Sequence, residues 1–80
     1  MDVDKLAELR RLLGAKVVFY RKLKGWNQLK LADRLGITRQ YLSKIEHGQC
    51  SCSVELLVCI SKVLGVDIAE LINSKGLRED

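Results

Sequence analysis

Eighty residues confine this chain to a single small domain, and a domain this size needs an efficient core or the help of a partner. A composition 48% hydrophobic and 30% charged, without proline and with one Trp, two Tyr and one Phe, favours helices and argues against a sandwich or barrel. Net charge is +4, but it is unevenly placed: ten basic residues face one acid, Asp33, between Arg10 and Lys44 (+9), while four face nine elsewhere (−5). Such asymmetry is the footprint of a polyanion-binding face, although solvated helix faces produce a similar count. The acidic start Met1-Asp2-Val3-Asp4 lacks a signal-peptide run, and no stretch approaches the roughly 20 apolar residues of a membrane span. The expectation is a soluble, cytoplasmic protein with no membrane partner. Residues 1–80 read as one domain with a core at 13–72, a helical extension at 1–12 and a polar tail at 74–80.

In chain order, Leu6, Leu9, Leu13, Val17 and Tyr20 recur at spacings of three and four and predict a first helix over 4–24, closed by Gly25. Asn27 is a candidate N-cap for a second helix with the apolar stripe Leu29, Ala32 and Leu35, ending at Gly36. Thr38 is the candidate cap of a third, with Leu42 and Ile45 inward, stopped by His47 and Gly48. Two short helices joined by a glycine turn within some twenty residues are the pattern of a helix-turn-helix. Leu29, Leu35, Ile37, Leu42 and Ile45 are expected to fix the interhelical angle by burial. Ser53 should cap a fourth helix with Leu56, Leu57, Cys59, Ile60, Val63 and Leu64 on its apolar face, stopped by Gly65. Asp67 should cap a fifth, carrying Ile68, Leu71 and Ile72.

The residues of 25–48 carry a resemblance. Gly25, Asn27-Gln28, Leu31-Ala32, Leu35-Gly36-Ile37-Thr38 and Leu42, Ile45-Glu46 and Gly48, in that order and spacing, resemble the phage-repressor-like helix-turn-helix family. Val63-Leu64-Gly65-Val66 and Glu70-Leu71-Ile72 resemble that family's fourth and fifth helices, so the likeness spans roughly 13–72. It implies an all-α fold: a compact five-helix bundle of lambda-repressor type. It also implies a sequence-specific transcriptional regulator, expected to be a repressor, that reads the DNA major groove with the helix starting near Arg39. Mapped here, the base-reading positions are Arg39, Gln40, Ser43 and Lys44. Arg and Lys donate to guanine, and Gln pairs with adenine. Phosphate contacts are implied for Asn27 and Gln28 at a helix N-terminus, and for His47, Gln49 and Ser51 after the reading helix. Arg21 and Glu46 align with a structural ion pair.

Two features stand apart from that pattern. Leu12, Phe19 and Leu23 share a second side of the first helix and are a possible dimer contact, as are Ile68, Leu71 and Ile72 on the last helix. Double-stranded DNA and a second copy of the chain are the expected partners. An antitoxin-like protein-interaction module that also binds its own promoter is the alternative. The three cysteines, Cys50, Cys52 and Cys59, with the single histidine His47, do not supply the roughly four suitably spaced ligands of a zinc site, and an odd count argues against a disulfide framework. No metal or cofactor is expected. The chain also lacks a carboxylate pair or nucleophile–base set, so no enzyme is expected.

Overall fold

The computed structural model describes residues 3–73. Five helices follow in order: α1 (Val3–Leu23), α2 (Gln28–Leu35), α3 (Arg39–Glu46), α4 (Val54–Leu64) and α5 (Ile68–Ile72). No strand occurs among the described residues. The tail expected at 74–80 lies outside them.

Local chemistry explains the boundaries. The side chains of Asn27, Thr38 and Ser53 each accept a hydrogen bond from the backbone N–H three residues on, at 2.8, 3.0 and 3.0 Å. Each satisfies a donor that a helix start would otherwise leave open. Gly36 closes α2 in the left-handed region at φ 73°, where a Cβ would be strained. Asp67 stands at the start of α5, but its side chain makes no capping bond. The short α5 is held instead by α1: Lys16 Nζ donates to the carbonyls of Glu70 (2.8 Å) and Asn73 (3.1 Å). Tyr20 O–H donates to Glu70 Oε2 at 2.7 Å, and this bond is the main reason the phenol's pKa is raised above its usual value.

The core gathers Val17 of α1, Leu31 and Ala32 of α2, Leu42 of α3, Ile60 and Leu64 of α4, and Leu71 of α5. Three expectations need correcting. On α2 the buried leucine is Leu31, fully enclosed, while Leu29 is 54% exposed and fixes no angle. With α3 and α4 packed on it, α2 buries 31, 32 and part of 35, the i, i+1, i+4 side of the helix, and that arc leaves 29 outside. Leu6, near the start of α1, is 38% exposed and does not join the core. Cys59 is exposed rather than part of the α4 face, which buries Ile60, Ser61 and Leu64 instead. Ser61 is tolerated there because its hydroxyl donates to the Val58 carbonyl at 2.9 Å.

Candidate nucleic-acid interface

The inward side of α3 is spent on packing: Leu42, Ile45 and Glu46 are buried. By the 3.6-residue period, Gln40 and Lys44 then point away from the bundle, with Arg39 and Ser43 along one flank and half-buried Tyr41 on the other. Arg39, Gln40 and Lys44 are exposed, and Ser43 is half-buried. A two-turn helix thus presents guanidinium, amide and ammonium groups outward from a face fixed by three buried side chains.

What holds that face is a polar network at the base of α3. Arg21 Nε donates to Glu46 Oε2 at 2.7 Å and Arg21 Nη2 to Glu46 Oε1 at 3.0 Å, a two-pronged pair with both side chains nearly enclosed. The third guanidinium nitrogen, Nη1, donates to the Trp26 carbonyl at 2.9 Å, joining the turn between α1 and α2. Gln28 Nε2 donates to Glu46 Oε1 at 2.8 Å, and Gln28 Oε1 accepts a longer bond from Arg39 Nη1 at 3.4 Å. The pair therefore fastens α1 to the end of α3, and Gln28 extends the network from the first residue of α2 to both ends of α3. A fork-shaped guanidinium matched to a carboxylate is the geometry that offsets the cost of burying both charges. Among the described residues no buried side-chain nitrogen or oxygen lacks a partner.

Asn27 is exposed, with its side chain engaged in the cap. Gln28 is half-buried and its amide is committed to Glu46 and Arg39, so what it offers a phosphate is its backbone N–H at the start of α2. Beyond α3, His47 is exposed with Nδ1 2.7 Å from the Ser43 carbonyl. A carbonyl only accepts, so Nδ1 carries the hydrogen and Nε2 points elsewhere. Gln49 is exposed, and exposed Ser51 accepts from Arg10 Nε at 2.9 Å. Positive charge also collects beside the α2 start: Lys24, Lys30 and Arg34 lie 5.2, 6.0 and 4.8 Å from the Trp26 ring. The sequence-predicted residues fall into two neighbouring groups, one at the start of α2 with α3 and one in the loop after α3.

Two contacts that position this face are absent from the sequence reading. A Cβ on Gly14 would sit 2.5 Å from the carbonyl oxygens of both Ile45 and Glu46, so α1 crosses the end of α3 at backbone contact. The available signal was a lone glycine inside an otherwise regular helical pattern. Gly48, at φ 72°, brings the loop after α3 against Arg11, where a Cβ would meet Arg11 Cγ at 2.7 Å and Cα at 2.9 Å. Of the possible dimer residues, Phe19, Leu23 and Ile72 are 57, 67 and 54% exposed. Leu12 and Ile68 are half-buried, and Leu71 is fully enclosed in the protomer's own core, out of reach of a partner.

Residues 19–71 match the helix-turn-helix family. The chain belongs to that family. Among its helix-turn-helix relatives, the transcriptional regulator SinR of Bacillus licheniformis is 37% identical over 69 residues, covering 85% of this chain and 62% of the regulator. The chain therefore spans somewhat under two thirds of that protein's length. Of solved structures, a hypothetical transcription factor, NHTF, from Neisseria superposes with a TM-score of 0.79 at 28% identity, covering 85% of this chain and 78% of the other. SinR in its complex with SinI gives 0.76 at 33% identity, covering 84% and 68%. Among the described residues no helix is long and apolar enough to cross a membrane.

Proposed function

We propose that this chain is a sequence-specific DNA-binding transcriptional regulator that acts as a repressor by occupying its site with α3 in the major groove. The observation that carries this reading is the outward set Arg39, Gln40, Ser43 and Lys44 on a helix fixed from behind by Arg21, Glu46 and Gln28. Base readout needs donors and acceptors held at a set angle, and that network supplies the angle. The N–H groups at the start of α2, with His47, Gln49 and Ser51 beyond α3, take phosphates on either side and set the register. The reading is of a binding protein working on DNA in the cytoplasm, not of an enzyme.

A homodimer fits this function, because one such module covers only about 600–1,000 Å² of DNA and a palindromic site suits a two-fold protein. Exposed Phe19, Leu23 and Ile72 supply the apolar surface for it. The relative solved with a protein partner, SinR with SinI, keeps a second reading alive, in which this chain is itself the antitoxin-like module and that surface meets a different protein.

Selection from a randomised duplex pool at several salt concentrations tests the function. Enrichment of a palindromic site, with affinity falling steeply in salt, is the expected result. Arg39→Ala and Gln40→Ala should each cost about 1–3 kcal/mol of discrimination while leaving thermal stability unchanged. Salt-sensitive retention without an enriched sequence would defeat base reading. No retention at low salt would defeat the DNA reading and favour the protein partner.

A further inference from the structure

The loop that leaves α3 carries two thiols that the DNA-reading face does not use. Cys50 and Cys52 are both free and half-buried, and both line one cavity of about 260 Å³ between α1, the α3–α4 loop, α4 and α5. The cavity's other walls are mainly apolar, among them Leu9, Leu13, Leu57 and Ile72, while Arg10 and Ser51 supply polar atoms. Ser51, between the two thiols, is held by Arg10. Burial, and after it the nearness of Cys50, push the Cys52 thiol above its ordinary pKa.

These observations narrow the ligand. With its pKa raised, Cys52 offers little thiolate for attack on a peroxide, so Cys52 is a poor starting point for oxidation. Among the described residues no group of three or more His, Cys, Asp or Glu is placed to hold a metal ion, whereas tetrahedral zinc takes four ligands. A ligand that needs two sulfurs and carries an apolar group satisfies both the pair and the cavity. Apolar cavities of about 150 Å³ hold a benzene ring, so the space suffices.

We propose that Cys50 and Cys52 form a dithiol site for a thiophilic trivalent arsenical bearing a small organic group, with that group seated among the apolar side chains of the cavity. For an arsine oxide, R–As=O, two S–As bonds form, the As=O bond is lost, and the oxygen leaves as water with both thiol protons. Arsenic stays trivalent and no electrons are transferred. The bridge closes over residues 50–52 and constrains Ser51, within the bridge, and Gln49, which adjoins Cys50, so occupancy weakens DNA binding. This coupling rests on the DNA reading of α3; the dithiol site does not.

The test uses the full reduced chain and phenylarsine oxide, followed by intact mass and thiol titration. The expected result is one adduct per chain, with Cys59 as the single remaining titratable thiol. The adduct should resist excess glutathione and be stripped by 1,2-ethanedithiol. It should be lost in Cys50→Ala and in Cys52→Ala and kept in Cys59→Ala. An adduct that glutathione removes, or one that persists in Cys50→Ala, overturns the site. Phenylarsine oxide should bind at least about tenfold more tightly than arsenite, because burying its ring adds apolar area; equal affinity overturns the seat in the cavity. Neither the glutathione chase nor the arsenite comparison depends on a variant folding. On the duplex selected above, the wild-type adduct should bind about tenfold more weakly, the size of losing one good contact. Unchanged affinity with the adduct in place overturns the coupling. An adduct on a chain that binds no DNA defeats the DNA reading and leaves the dithiol site standing.

Discussion

The two ends of α1 border regions built on opposite principles. Its C-terminal half meets the start of α2 and the end of α3 through a buried, fully partnered charge network: Arg21, Glu46, Gln28 and the Trp26 carbonyl. Its N-terminal half meets the α3–α4 loop and α5 across an apolar cavity, with Arg10 Nε donating to Ser51 Oγ at the loop. The first region allows few arrangements, because every buried donor and acceptor there must stay satisfied. The second tolerates repacking, since apolar contacts are non-directional. The reading helix is anchored to the rigid region, and the loop behind it borders the adaptable one.

The largest effect that tests this contrast comes from removing one buried charge. Arg21→Ala strands Glu46 and should destabilise the fold by about 3–5 kcal/mol in urea unfolding, enough to leave a domain this small largely unfolded. The paired change Arg21→Met with Glu46→Leu should recover most of that stability while DNA affinity stays lost, because the angle of α3 is no longer specified. Recovery of binding along with stability would break the claim that the network positions the helix. Gly14→Ala comes next. Its new methyl meets backbone carbonyls that cannot turn aside, and a loss of about 1–3 kcal/mol is expected from thermal unfolding. The smallest effect, of opposite sign, belongs to the other region. Cys52→Met extends a side chain into the cavity and should raise stability by about 0.5–2 kcal/mol by calorimetry. A loss there as large as that of Gly14→Ala would show that this end is as tightly fitted as the first.

The expectations that held share a short range. Asn27, Thr38 and Ser53 cap helices by bonding three residues ahead, so residue type and local order suffice to find them. The pairing of Arg21 with Glu46, twenty-five residues apart, was legible only through resemblance to a family, since nothing in their spacing brings them together. Where local rules had two answers, they chose wrongly. Leu29 and Leu31 both fit a helical stripe with Ala32 and Leu35, and Asp67 has the right chemistry for a cap bond it does not make.

By itself, then, the sequence determined five helices, the turn at Gly36 and the concentration of positive charge, because each follows from backbone preference, period or composition; the outward set on α3 was legible through the family resemblance. Tertiary structure decided the rest. It chose Leu31 over Leu29, committed the Gln28 amide to Glu46 and Arg39, pressed Gly14 against the end of α3, and put Cys50 and Cys52 on one cavity. Each of these depends on which surfaces meet across long chain separations, and such meetings are settled by the packing of whole helices rather than by the residues next in line.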